Sequence, residues 1–340
     1  MSTFPLIETS PAGGDFHETV RTVLPVVGRS TAVVEMLGLV ESLSGTDTNV
    51  LISGESGAGK ELVARLLHET GRRPGVFLAH NCAAIAEGTL ESDLFGHAAG
   101  AFTGALGARR GLFEEAQGGT AFLDEIGEIG PRLQAQLLRV LQEGEIRRVG
   151  ESRPRRVQVR ILAATNRNLQ EEVRRGRFRE DLFYRLNVVQ VRVPSLRERR
   201  ADIPLFVQRF LEESARGGES LRSAFTAEAV EKLLSYAWPG NVRQLRNEVL
   251  RAALLTRGRG PIRPEDFSEE LRQIACSGPR TGSLREQVDQ AQRGIVLAAL
   301  QRHGWNKTRA ARSLGITRQG LIKMVHRLGL PLQGLVEAED

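Results

Sequence analysis

Gly54-Glu55-Ser56-Gly57-Ala58-Gly59-Lys60 (GESGAGK, residues 54–60) decides how the rest of the chain is read. It follows an apolar run, Asn49-Val50-Leu51-Ile52-Ser53, and opens a stretch with apolar residues at Leu62, Val63, Leu66 and Leu67. Strand, glycine-rich turn and helix in that order are the context a phosphate-binding loop requires. Glycines let backbone N–H groups turn inward around phosphate oxygens, and the helix N-terminus adds a favourable partial charge. Lys60 is a compact point charge suited to β- and γ-phosphates, a role the planar guanidinium of arginine does not reproduce. Glu61 stands where the general pattern has Ser or Thr, so the usual hydroxyl ligand for magnesium is missing. The candidate nucleotide-binding set is therefore Gly54, Glu55, Ser56, Gly57, Ala58, Gly59, Lys60 and Glu61.

A second segment completes the site. Phe122-Leu123-Asp124-Glu125 is an apolar strand ending in two carboxylates. Asp124 is placed to hold magnesium, directly or through water, and Glu125 to orient or deprotonate an attacking water. The cofactors expected are thus ATP and Mg2+.

Around these segments the pattern alternates. Strands are predicted over 49–53, 76–79, 120–123, 159–164 and 188–193, with helices over 60–70 and 132–143 between them. Such alternation implies a parallel sheet covered on both faces. After Leu196 the strands stop, and 203–215, 226–236 and 241–256 read as helices, the second with Thr226 as N-cap.

Charge separates the C-terminal part. The chain of 340 residues carries a net charge of +6, but residues 284–332 alone hold +7. A small basic segment on a near-neutral body is the footprint of a nucleic-acid module. Within it His303–Lys323 reads as helix, short turn and helix: Ala310, Ala311 and Leu314 face a core, Gly315 turns, and Thr317 caps the second helix. Leu321, Ile322, Val325 and Leu328 are its expected apolar positions. Lys307, Thr308, Thr317, Arg318, Gln319, Lys323 and Arg327 are the candidate DNA contacts, being types that reach phosphates and major-groove base edges.

No apolar run approaches the roughly 18 residues that span a membrane, and the N-terminus lacks the basic and apolar regions of an export signal. Cys82 and Cys276 lie far apart and make no metal spacing. No membrane partner and a cytoplasmic location are expected.

The stretch HAAGAFTGALG (97–107) sets one aromatic and one hydroxyl among small residues, too little side chain to fill a core. Here the motifs taken together matter. GESGAGKE, FGHAAGAFTGA, GGTAFLDEIGE, VRILAATNRNL, GRFREDLFYRLNV, LRERRADI and WPGNVRQLRN, over about residues 26–256, resemble the central domain of sigma-54-dependent transcriptional activators. These are bacterial enhancer-binding proteins of the AAA+ ATPase class, and in them Glu after the loop lysine is usual. The C-terminal segment is similar to their Fis-type helix-turn-helix.

The resemblance implies an α/β P-loop domain with a parallel sheet flanked by helices, a helical lid, and a small all-α DNA-binding domain. The boundaries expected are a short disordered lead-in (1–25), the α/β subdomain (26–196), the lid (197–276), a linker (277–283), the helix-turn-helix domain (284–332) and an acidic tail (333–340). It further implies that Asn81 contacts the glutamate of the Walker B strand, Glu125, and that Thr165 and Asn166 form sensor I. Arg179 and Arg185 match fingers reaching a neighbouring subunit's γ-phosphate, and Arg243 matches sensor II. Lys60, Asn81, Asp124, Glu125, Arg179 and Arg185 make up the implied catalytic set. Gly100, Ala101, Phe102, Thr103, Gly104 and Ala105 match the loop that touches sigma-54. The implied partners are sigma-54 RNA polymerase holoenzyme, upstream enhancer DNA, and the protein itself, as a dimer on DNA and a hexameric ring. About 25 residues precede the ATPase region, which leaves no room for a sensory domain, so control by a trans-acting protein, by assembly or by expression level is expected. Two other readings compete: a DNA-binding regulator with a vestigial ATPase, and another AAA+ remodelling machine. GAFTGA and the intact Lys60, Asp124 and Glu125 argue against the first, and GAFTGA argues against the second.

Overall fold

The structure is a computed structural model describing residues 20, 28–71, 73–83, 86–215, 225–256, 260–273, 296, 299–300, 303, 305–314 and 316–327. The predicted lead-in (Val20 apart), the linker 277–283, the tail 333–340, Cys276, Gly315 and Leu328 lie outside the described residues. The chain divides into two compact units, 1–274 and 275–340.

Five strands form the sheet of the first unit: β1 (Val50–Ser53), β2 (Phe77–Asn81), β3 (Thr120–Asp124), β6 (Arg160–Thr165) and β7 (Val189–Arg192). All its ladders are parallel, in the order β2-β3-β6-β1-β7. Successive side chains point to opposite faces, and both faces are covered. Leu51, Ala121, Leu123, Ile161 and Ala163 pack on one side against Leu133 and Leu137 of the helix Pro131–Glu143. Val50, Ile52, Phe122, Leu162, Ala164 and Val191 pack on the other against the helices α1 (Thr31–Ser42) and α2 (Lys60–Thr70). A small antiparallel pair, β4 (Glu145–Ile146) with β5 (Arg155–Arg156), stands outside this sheet.

The register explains the site. Ser53 lies beside Thr165 and Asn81 beside Asp124, so the carboxyl ends of four strands finish along one edge. That edge is where open parallel sheets bind ligands.

Two short 3₁₀ turns within Leu196–Asp202, joined by a kink at Arg199, lead into the lid, whose main helices are Ile203–Ala215, Ala227–Ser235 and Asn241–Thr256. Thr226 caps the second as expected, its hydroxyl accepting the N–H of Ala229 at 3.3 Å. Fully buried Trp238 centres this core with Leu196, Phe206, Leu245 and Phe267, and its indole N–H donates to the Leu233 carbonyl.

In the second unit, Lys307–Ser313 and Arg318–Arg327 are the two helices of the motif. Ala310, Ala311, Leu321 and Val325 pack with Val296, Ala299 and Leu300. Ile322 departs from expectation: it is exposed, and Met324 takes part in the core instead. Residues 321, 324 and 325 fall on one helical face and 322 lies a hundred degrees off it. Leu62 departs likewise, being exposed where Val63, Leu66 and Leu67 are buried. Among the described residues no helix is long and apolar enough to cross a membrane.

Candidate functional site

At the carboxyl edge of the sheet lies a cleft of about 500 Å³ lined by the loop 56–60, Glu61, Leu62, Asp124, Glu125, Arg199, Arg243 and Arg246, with Gly28, Val33, Met36 and Phe206 forming an apolar wall. Leu62 is exposed because it faces this cleft. The turn is sharp: Gly57 has φ +74° and Gly59, which precedes α2, has φ +109°. A β-carbon at Gly57 would lie 2.4 Å from the Gly240 carbonyl oxygen, so the loop packs directly on the start of the lid helix Asn241–Thr256.

Lys60 is only 6% exposed. Its ammonium donates to the carbonyls of Gly54 (3.1 Å) and Glu55 (3.5 Å) and pairs with Glu125 at 3.4 Å. The other oxygen of Glu125 accepts the backbone N–H of Asn166 at 3.3 Å. Thr165 is buried, and its hydroxyl accepts the N–H of Arg167 at 3.0 Å, shaping the turn that presents Asn166. Glu125 holds φ +53° immediately after its strand, a left-handed conformation that costs a non-glycine residue of order 1–3 kcal/mol and is kept where a site demands it.

Asp124 is half-buried, and burial pushes its carboxyl above the usual carboxylate range; Lys60 opposes this and the Glu125 charge adds to it. Two adjacent carboxylates with one lysine fit a divalent cation, which would relieve that cost. Among the described residues no group of three or more His, Cys, Asp or Glu side chains could cage a metal. That donor set suits magnesium, which binds through one or two carboxylates together with substrate phosphates. Glu61 pairs with Arg65 across one helical turn at 2.8 Å.

Asn81 ends β2 beside Asp124, but the contact with Glu125 is not made among the described residues. Its side-chain oxygen instead accepts the N–H of Ala83 at 2.9 Å, a local turn that satisfies the amide, while Lys60 and Asn166 occupy Glu125. Arg243 reaches the Ser56 hydroxyl at 3.5 Å. Arg179 and Arg185 belong to the helix Glu180–Leu186 and its N-cap, are exposed, and do not line this chain's own cleft. Arg179 forms a fork with Asp181 at 3.0 and 2.7 Å.

Several residues of the cleft escape a reading by motif. Arg199 is buried with its guanidinium over the Phe206 ring and donating to the Ala58 carbonyl at 2.8 Å. Arg197 forks onto Glu55, and these bonds, with one from Asn241, hold that carboxyl below its usual range. Asp202, fully buried, accepts the N–H groups of Arg29 and Ser30 and the Ser30 hydroxyl, fastening the entry to α1. Arg197, Arg199 and Asp202 sit inside LRERRADI and Asn241 inside WPGNVR, so the signal was present; which atoms meet depends on the fold.

The segment 97–107 stands on a clamped base. His97 and Arg109 exchange backbone hydrogen bonds at 3.0 and 2.9 Å, and the Ala98 N–H donates to the Val149 carbonyl. At the tip, Gly100 N–H donates to the Ala105 carbonyl and Ala105 N–H to that of Phe102. The Phe102 ring meets His97 edge-on at 5.0 Å and remains 47% exposed, while Leu106 is fully exposed.

In the second unit, Asn306 caps the first helix through two backbone N–H groups, and Thr317 caps the second through Gly320. Thr308, Thr317, Arg318, Gln319, Lys323 and Arg327 are exposed and Lys307 half-buried.

A parallel sheet with a lysine loop, a strand-end carboxylate pair and a helical lid closing the cleft defines a nucleotide-binding protein of the AAA+ class. Residues 26–192 match the sigma-54 interaction domain, 197–283 the AAA+ ATPase lid domain, and 287–324 the Fis family of bacterial regulatory proteins. The transcriptional regulatory protein ZraR of Salmonella typhimurium is 44% identical over 328 residues, covering 95% of this chain and 73% of ZraR. The nitric oxide reductase transcription regulator NorR1 of Cupriavidus necator is 46% identical, covering 89% of this chain and 63% of NorR1. Crystal structures of NtrX from Brucella abortus with ADP and with ATP superpose with TM-scores of 0.70 and 0.67 at 34% and 35% identity. They cover 92% and 89% of this chain, and 72% and 69% of NtrX. The chain belongs to the family of sigma-54-dependent transcriptional regulators.

Proposed function

We propose that this protein hydrolyses ATP to remodel the closed promoter complex of sigma-54 RNA polymerase, acting from upstream DNA. The observation that carries the reading is the link from Lys60 through Glu125 to Asn166 at the mouth of a glycine-lined cleft. Lys60 receives the β- and γ-phosphates, which draws it off Glu125 and frees that carboxylate to orient the attacking water. Asp124 would hold magnesium, which would neutralise charge on the phosphates. The Asn166 N–H keeps the Glu125 carboxylate aimed, and Thr165 keeps the turn. Asn81, adjacent in register, is the side chain that trades partners with Glu125 as the γ-phosphate leaves.

Arg179 and Arg185 lie outside their own cleft and serve that of a neighbouring copy, which makes hydrolysis depend on assembly into a ring, expected to be a hexamer. Before it inserts, Arg179 must leave Asp181. Residues 100–105 carry the motion to sigma-54, with Phe102 as apolar anchor. The exposed face bearing Arg318, Gln319, Lys323 and Arg327, with Lys307, Thr308 and Thr317, binds upstream DNA as a dimer. Domain limits follow the sequence reading.

The test is open-complex formation by sigma-54 polymerase with ATP, for wild type and Thr103→Ala, with ATPase rates recorded in the same samples. The wild type is expected to open the promoter, and the variant to hydrolyse ATP without opening it. Hydrolysis and DNA binding without promoter opening by either protein would show that this ATPase acts on another target.

A further inference from the structure

Three successive carbonyls of the phosphate loop each meet one donor from beyond residue 196. The Ser56 carbonyl accepts from Asn241 Nδ2 at 3.0 Å, that of Gly57 from the Val242 N–H at 3.1 Å, and that of Ala58 from Arg199 Nη2 at 2.8 Å. In a trans peptide the carbonyl and the following N–H point in opposite directions. Holding these oxygens on the lid-side donors therefore turns the N–H groups of Gly57 and Gly59 away from those donors, free for phosphate oxygens, while that of Ala58 closes the turn on the Glu55 carbonyl.

The two side chains are built for this. Asn241 is fully buried at φ +52° and saturated: its oxygen accepts the Leu196 N–H at 2.8 Å, and its amide group divides between the Ser56 carbonyl and the Glu55 carboxylate. One amide thus ties the phosphate loop to the hinge where the sheet domain becomes the lid. Arg199 is 6% exposed, with Nη2 committed to the Ala58 carbonyl and Nε without a partner. Burial holds its guanidinium pKa below the ordinary value, so its place is costly and has to be maintained by what it touches.

We infer that Asn241 and Arg199 are positioning residues for the nucleotide phosphates: from the lid side they orient the peptides of Ser56, Gly57 and Ala58, so phosphate binding and lid position are one coupled equilibrium. Neither needs to touch the nucleotide. This separates them from Arg243, whose guanidinium reaches the Ser56 hydroxyl rather than a loop carbonyl. The inference rests on the nucleotide-hydrolysing reading above and specifies its machinery.

Affinities of the full-length protein for ATP, ADP and adenosine test it, with melting temperatures recorded alongside. Asn241→Gly keeps the left-handed backbone and deletes the amide; Arg199→Met keeps bulk and deletes the donor; Arg199→Lys restores one donor. Asn241→Gly and Arg199→Met are each expected to weaken ATP and ADP about tenfold and leave adenosine within about twofold, since the loss acts on oriented phosphate donors. Arg199→Lys should recover part of the loss. An equal loss for adenosine would show a collapsed cleft wall and overturn the inference, as would ATP affinity unchanged in both deleting variants. Should Arg199→Met fail to fold, Asn241→Gly decides alone. Wild type that binds neither ATP nor ADP would overturn the nucleotide reading as a whole, an outcome distinct from wild-type binding that the variants leave intact.

Discussion

Two glycine-rich loops of this molecule use the same residue for opposite ends. In the phosphate loop, Gly57 is enclosed: a β-carbon there would meet the Gly240 carbonyl at 2.4 Å and Arg243 Cβ at 3.0 Å. In the finger, Gly100 and Gly104 also have positive φ, +78° and +104°, yet a β-carbon at either would meet nothing within 4 Å. Glycine in the first permits close approach of two backbones; in the second it only permits the turn. The carbonyls of the first are held from outside by the lid, whereas the finger bonds to its surroundings at its base and to itself at its tip. One loop is held to bind a small anion, and the other presents apolar surface that its own domain leaves uncovered.

The strongest way to break this comparison is to add one methyl group at each loop. Gly57→Ala combines a left-handed backbone with a backbone collision and should cost about 3 kcal/mol or more, lowering the melting temperature by roughly 6–12 °C and removing ATP binding. Gly104→Ala carries only the backbone cost, about 1 kcal/mol, for a fall of roughly 2–4 °C. Equal effects in thermal melts would erase the distinction between an enclosed and an open loop.

Acid sharpens the contrast between the base of the finger and its tip. Glu114 and Arg148 form a half-buried fork at 2.7 and 2.8 Å beneath the loop, and Arg148 holds the Glu114 carboxyl below its usual range. Stability from a carboxyl lowered in the folded state is fully present above its unfolded value of about 4.3 and is lost as pH falls through the lowered one. The melting temperature should therefore fall as pH drops below about 4.3, and Glu114→Gln should flatten that drop. Parallel curves for the two proteins would place the acid sensitivity elsewhere.

The smallest effect concerns the tip. Leu106 is fully exposed immediately after the motif, so Leu106→Ser should move the melting temperature by about 2 °C at most. Promoter opening at limiting protein is expected to slow severalfold, because a second apolar side chain beside Phe102 is lost. An unchanged opening rate would end the sigma-54 contact at Ala105.

Much of this was legible without coordinates because its determinants are local. The helices Lys60–Thr70, Ile203–Ala215 and Asn241–Thr256 have the limits their apolar periodicity predicts. The strand ending in Asp124 and Glu125 needed only its own residues to be recognised. Less legible were features set by neighbours: the β4–β5 pair is two residues long on each side, too short for an alternating pattern, and Ile322 reads as core until the helix face is known. The local turn of Asn81 illustrates the same limit, since a motif names a residue but does not choose between its partners.

Local pattern in the chain was enough to mark the carboxyl edge: the glycine loop before Lys60, the strand running into Asp124, and the basic two-helix module that follows. Periodicity and motif spacing are properties of neighbouring residues, and they survive in one dimension. Folding alone brings Asn241 and Arg199 onto the Ser56 and Ala58 carbonyls, 185 and 141 residues away along the chain. Hydrogen bonds of 3 Å between such distant residues depend on how the lid packs on the sheet, and no local pattern encodes that distance.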